Sequence, residues 1–298
     1  MQTMKTPIND VDTTEETINH LSLCSGYEGI GLGLRRIFPN VREICMVERE
    51  AFNVGNLVHK MQEGKLDQAP IWTDIRTFPF RKFRGLVDIA SGGFPCQPFS
   101  SNSKRKSDRD ERHLYPFIEN GIRECRPSLV FLENVEGIIT TKTSEGEPVL
   151  RYVLRSLEAL DYICEAGIFS ASEVGASHHR RRVFILAYSR RSTGTEGIKQ
   201  TQLRTVRTSK PSLRSWLFCS EGEIQEGQKG GRETFPSSPR SSQKKWERLR
   251  TLERRLGRAN DGTSNRVDRL RTLGAGVVPQ TAERAFRILS KKLTERIK

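Results

Sequence analysis

Apolar and polar residues follow one another in short blocks along the first two thirds of this chain. The run "INHLSL" closes on Cys24, Ser25 and Gly26, and the segment after it, "YEGIGLGLRRIF", repeats its apolar positions at helical spacing. A second run, "EICMV", ends in acid at Glu48. "LVDIASGG" and "SLVFLENV" repeat the pattern, each a short apolar strand breaking into a Gly-rich or polar turn. Strands alternating with helical segments predict an α/β fold, a parallel sheet wound with helices. In such sheets ligands gather beyond the carboxyl ends of the strands. Gly26, Glu48, Asp74, Cys96 and Glu133 are predicted to fall there, on one edge.

The pattern breaks at residue 191. From there to 265 apolar periodicity is poor and Ser, Thr, Gly and Arg dominate, as in "SSPRSSQKKWERLR". This segment holds 16 Lys/Arg against 8 Asp/Glu, more than half of the chain's net charge of +14. It reads as an inserted, loop-rich basic module or as a disordered stretch, and the sequence leaves both open. So basic a chain points to a polyanionic partner, most simply nucleic acid, against the plainer reading of a solubilising surface.

With 298 residues the chain can bury a substantial core. The six cysteines are scattered, with no Cys-x-x-Cys pair and no histidines at finger spacing, which argues against a zinc site or a disulfide framework; no metal is expected. No signal peptide opens the sequence and no apolar stretch approaches the roughly 20 residues that span a bilayer. A cytoplasmic protein with reduced thiols and no membrane association is expected.

Chemistry concentrates in a few places. In "GGFPCQPFS", Cys96 sits between two prolines and behind two glycines, a rigid and closely approachable loop unlike the core setting of an inert thiol. A thiolate there is a strong nucleophile once positive charge or amide dipoles lower its pKa. "GYEGIG", with Gly26, Gly29 and Gly31, opens a helix whose amides could receive a carboxylate, although a plain Gly-rich turn has the same spelling. It lacks the dinucleotide spacing. Glu48 stands where an acid takes ribose hydroxyls, or where a strand simply meets solvent. Together they describe a nucleoside cofactor bearing a carboxylate, and S-adenosyl-L-methionine fits. Glu133 ends a strongly apolar strand, so desolvation raises its pKa and lets it keep a proton to donate. Arg180 and Arg182 of "HHRRRVFILA", two apart, share one face at the start of a strand as phosphate or carbonyl binders, or as a solvated surface.

"GGFPCQPFS" with "FLENV", followed by "HHRRRVFI" and "LGAGVVPQTAERAF", resembles the DNA cytosine-5 methyltransferase family over residues 20–190 and 266–290. The resemblance implies the S-adenosylmethionine-dependent methyltransferase (Rossmann-like) fold with a small inserted target recognition domain. Residues 1–18 then form a flexible N-terminus, 19–190 and 266–298 a discontinuous catalytic domain, and 191–265 the target recognition region. Cys96 is implied as the nucleophile on C6 of a flipped cytosine, Glu133 as the proton donor to the ring, and Arg182 with Arg180 as the binder of O2. The implied cofactor site comprises Cys24, Ser25, Gly26, Tyr27 and Gly29 around the methionine end, Glu48 on the ribose, Asp74 and Ile75 at the adenine, Pro95 and Leu114 on the wall, and Ala275 and Val277 in a returning segment.

The partner so implied is double-stranded DNA, bound by a monomer, with a cognate restriction endonuclease optional. Three positions depart from the family pattern: His178 replaces a Gln, Ala275 replaces the Asn of the closing loop, and Glu28 replaces a Gly. Two alternatives stay open at this level, an RNA cytosine-5 methyltransferase and a DNA-binding relative with weakened catalysis.

Overall fold

The computed structural model describes residues 17–95, 114–190 and 266–297. Among them seven strands form one sheet: β1 (Ile18–Leu23), β2 (Val41–Val47), β3 (Ile71–Trp72), β4 (Ile89–Gly93), β5 (Leu129–Val135), β6 (Tyr162–Ser170) and β7 (Arg181–Ser189), in the order β3-β2-β1-β4-β5-β7-β6. The helices are α1 (Gly29–Arg35), α2 (Ala51–Gln62), α3 (Tyr115–Cys125), α4 (Val149–Ala159), α5 (Arg266–Ala275) and α6 (Pro279–Ile297).

β1 to β5 pair in parallel, but β7 runs antiparallel to both β5 and β6. The expected parallel sheet is thus present in β1 to β5, with an antiparallel pair, β7 and β6, added on one side. Residues 171–180, which hold a 3-10 turn at Ala171–Val174, link β6 to β7. That link has no helix of its own and returns the chain as a hairpin, whereas a parallel neighbour needs a longer crossover.

Alternation along β5 supplies both faces of the sheet. Val130 and Leu132 enter a core shared with Ile118 and Ile122 of α3 and Val153 and Leu157 of α4. Leu129 and Phe131 enter the opposite core with Leu34 of α1 and Phe286 and Leu289 of α6. Helix α6 buries Ala282, Ala285, Phe286, Leu289 and Leu293, the three-and-four spacing of one helical stripe. Its Phe286 ring meets Phe131 edge-on at a centroid distance of 5.2 Å.

Strand order fixes where a ligand belongs. From β1 the chain moves to β2 and β3 on one side, then crosses to β4 and β5 on the other. The connections leave β1 and β4 in opposite directions, which opens a crevice beyond their carboxyl ends. Among the described residues no helix is long and apolar enough to cross a membrane.

Candidate active site

A cavity of about 550 Å³ occupies that crevice. Its walls are residues 22–30 after β1, 47–50 after β2, 73–76 after β3, 93–95 after β4, Glu133 of β5, Arg182 of β7, and Thr272 with residues 274–277 at the end of α5. This is an ordinary volume for a small-molecule site.

Glu133 is the buried acid of the cavity. It is paired with Gly93 in the last register position of β4 and β5, and only 5 % of its surface is exposed. Burial pushes its carboxyl up to about 7, against the pull of Arg182 and Arg180. Arg182 Nε stands 2.8 Å from Glu133 Oε1. A carboxyl that holds a proton near neutral pH beside a fixed guanidinium can donate to one ring atom while the cation faces another.

Asn134 ties this acid to the Pro-Cys loop. Its Nδ2 donates to the Phe94 carbonyl at 2.9 Å, and its Oδ1 accepts from the Val135 amide at 2.8 Å. The two motifs read separately along the chain are thus adjacent in space. Cys96 lies outside the described residues, one peptide beyond Pro95, which lines the cavity. The four described cysteines are poor nucleophiles: burial pushes the thiol of Cys24 up to about 12, with Glu48 adding to it, and those of Cys45, Cys125 and Cys164 to about 11, 12 and 12.

The residues assigned to a cofactor all reach the cavity wall: Cys24, Ser25, Gly26, Tyr27, Gly29, Glu48, Asp74, Ile75, Pro95, Leu114, Ala275 and Val277. Their side chains are already engaged in different ways. Glu48 is buried and accepts from the Gly26 amide at 2.7 Å and the Glu50 amide at 2.8 Å, which aims a fixed carboxylate along the wall. Asp74 caps the 3-10 turn after β3 through the Arg76 amide at 3.0 Å and pairs with the Arg76 guanidinium at 2.8 Å. Ser25 turns its hydroxyl back to the Ser22 carbonyl at 3.2 Å and the Val47 carbonyl at 3.4 Å.

Two expectations are revised by this geometry. Arg180 does not line the cavity beside Arg182: its guanidinium donates to the Gly274 carbonyl at 2.7 Å and to the Gly276 carbonyl. The backbone turns Arg180 toward the returning segment, and those carbonyls, at the end of a helix, are the acceptors left over when helical pairing stops. Ala275 is the last residue of α5, not part of a loop, and it is exposed while bordering the cavity.

The returning segment is fastened at several points that the sequence did not announce. Tyr27 donates its hydroxyl to the Val277 carbonyl, and Thr272 donates to Asn53 Oδ1 at 2.6 Å. The approach is so close that a Cβ on Gly276 would collide with the Tyr27 ring, and one on Gly29 with the Val277 backbone. Asn53 and Asn134 carried no assigned role; the available signal for Asn134 was its place inside a buried strand, where an amide must find partners. His178, the replaced Gln position, precedes β7 and does not line the cavity. Residues 1–16 and 191–265 lie outside the described residues, and with them the target recognition expectation and most of the N-terminal one; Ile18, expected in the flexible N-terminus, is instead the buried first residue of β1.

The chain is similar in sequence and fold to several known proteins. The type II methyltransferase M.NgoMIV of Neisseria gonorrhoeae is 29 % identical over 167 residues, covering 56 % of this chain and 50 % of that protein. M.CviJI of Paramecium bursaria Chlorella virus IL3A is 30 % identical over 168 residues, 56 % of this chain and 42 % of its own length. The chain thus spans about half the length of these curated relatives. Among solved structures, the Dnmt2 methyltransferase of S. pombe superposes with a TM-score of 0.45 at 22 % identity, covering 71 % of this chain and 58 % of that one. The sequence profile of the C-5 cytosine-specific DNA methylases matches residues 18–293, and the chain belongs to that family.

Proposed function

We propose that this chain transfers the methyl group of S-adenosylmethionine to C5 of a cytosine flipped out of duplex DNA. The observation that carries the reading is the protonatable, buried Glu133 held beside Arg182 in one cavity with the Pro-Cys loop, at the switch point of the sheet. S-adenosylmethionine, the methyl donor of the family, supplies an electrophilic methyl group. The donor set fits it: Glu48 offers a fixed carboxylate to hydroxyls or an amine, Asp74 an acceptor for an exocyclic amine, and Ile75 and Val277 apolar faces to a heterocycle.

A cytosine inside a duplex exposes neither C6 nor the face of its ring to a protein, so it must leave the stack, at a cost of a few kcal/mol. The Cys96 thiolate then forms a bond to C6. Glu133 donates its proton toward N3, and Arg182 holds O2, so the electron density released by addition settles at C5. After C5 has gained the methyl carbon, a base removes the C5 proton, the C6–S bond breaks and the N3 proton returns to Glu133, which restores the thiolate, the protonated acid and the aromatic ring. Burial of Glu133 favours the protonated form with which it enters these steps. The basic segment 191–265 supplies phosphate contacts and site choice, with an affinity that falls steeply with salt.

Transfer of a labelled methyl group tests this reading. The chain with labelled cofactor is expected to mark duplex DNA and leave transfer RNA unmarked; the reverse preference would overturn the choice of substrate. The Ala275 departure gives a second measurement. Asn offers a donor and an acceptor that Ala lacks, and one regained hydrogen bond is worth roughly 0.5–1.5 kcal/mol. Ala275→Asn is therefore expected to tighten cofactor binding several-fold by calorimetry. An unchanged dissociation constant would mean that the exposed end of α5 makes no contact with the cofactor.

A further inference from the structure

Behind the cavity wall, β1, β2 and the start of α1 bring together a group that the chain order disperses. His20 and Glu43 are 0 % and 1 % exposed, and so is Glu28 at 1 %, although it sits at a positive φ of 69° where the family pattern has Gly. One donor atom from each of the three lies within 4.8 Å of the others.

Each of these side chains is held from outside and leaves one atom facing inward. His20 Nε2 bonds Ser91 Oγ at 2.8 Å, and Nδ1 faces Glu43 Oε1 at 3.5 Å. Glu28 Oε2 accepts from Ser22 Oγ at 2.7 Å, whereas Oε1 is buried with no partner in the protein. Glu43 Oε2 is paired with Arg35, whose Nε also donates to Glu43 Oε1 at 3.4 Å and whose Nη2 reaches Asp67 Oδ2 at 2.6 Å, so of the three inward atoms Glu28 Oε1 alone lacks a partner. A Cβ on Gly31 would strike Glu28 Oε1 and crowd Glu43 Oε1, so glycine at that position keeps the space between the carboxylates open.

The charge does not balance within the cluster. Arg35 offsets one of the three carboxylates Glu28, Glu43 and Asp67. Counted as ionised, the three carboxylates exceed Arg35 by two negative charges, to be met by a divalent cation or by two protons. Leaving a buried carboxylate oxygen unmatched is costly.

We propose that His20, Glu28 and Glu43 bind one divalent transition-metal ion of the zinc or manganese class. Imidazole with two carboxylates suits such ions. Ligand atoms about 2.0–2.1 Å from a tetrahedral ion lie about 3.3–3.4 Å apart, close to the His20–Glu43 separation. Hydrogen-bonded outer atoms on ligating histidines and carboxylates are the arrangement that orients a metal site. Ser22 and Glu28 also line the cofactor cavity, which gives an ion its route in. The ion ties β1 and β2 to the start of α1, and so fixes the turn that borders the cofactor.

The chain stripped with chelator and exposed to zinc, then to manganese, is expected to retain one equivalent of metal after desalting and to melt at a higher temperature. Glu28→Gln, of the same shape, is expected to retain none of that equivalent while keeping its circular dichroism. Cobalt(II) titration of the unmodified chain reads the ligands independently of that variant, with visible bands of a nitrogen and oxygen site, free of thiolate charge transfer, that zinc abolishes. No retained metal, equal retention by Glu28→Gln, or cobalt bands of thiolate character would each overturn the proposal and leave protons as the neutralising charges.

Discussion

Cys96→Ser is expected to lower methyl transfer by at least about a thousandfold, because removing the nucleophile of a covalent mechanism removes the reaction path itself. The serine hydroxyl is far weaker, having neither the acidity nor the polarisability of the thiol. The diagnostic readout is a duplex in which 5-fluorocytosine replaces the target base. Fluorine at C5 cannot leave as a proton, so the chain with S-adenosylmethionine should remain joined to the DNA through C6 and appear as a complex of added mass. Cys96→Ser should form none. A variant that forms the adduct as well as the natural chain would assign the bond to another residue. The raised thiols of Cys24, Cys45, Cys125 and Cys164 make those four poor substitutes.

Glu133→Gln is expected to cost about 10²–10⁴-fold in rate, the usual worth of a positioned proton donor. Its pH profile is more informative than its magnitude. Glu133 acts in its protonated form, and burial places its pKa at about 7. The rate of the natural chain should therefore fall as pH rises above about 7, by up to tenfold per unit, while the need for a Cys96 thiolate limits it on the acid side. Glutamine cannot ionise, so the alkaline limb should vanish in the variant. A variant that keeps the limb would show that the decline belongs to a different group.

Much of this site could be read along the chain because the features are local. "SLVFLENV" is an apolar run with an acid near its end, and the fold places that acid in a desolvated position near the carboxyl end of β5, beside Arg182. The turns after β1, β2 and β4 were visible as breaks in apolar runs, and all three meet the cavity. Direction was not visible: β7 has the composition of a buried strand whichever way it runs, and its antiparallel pairing follows from the short link behind it.

Contacts between distant segments were equally hidden. The acceptors of Arg180 lie 94 and 96 residues further along, and nothing in "HHRRR" distinguishes an arginine that faces a base from one that fastens a helix end. His20 lies within the apolar run "INHLSL", where its polarity reads as an interruption. Only when β1 and β2 pair, with α1 laid across them, do His20, Glu28 and Glu43 converge. Glu28 was legible as a departure, but its meaning depended on a serine six residues back and a glycine three residues on.

The central claim is cytosine-5 methylation of duplex DNA, and bisulfite sequencing tests it most directly. A duplex library incubated with the purified chain and saturating S-adenosylmethionine, then treated with bisulfite, is predicted to show protected cytosines at one recurring sequence and conversion elsewhere. Complete conversion at every cytosine, under conditions where the chain is folded and binds the cofactor, would contradict the account.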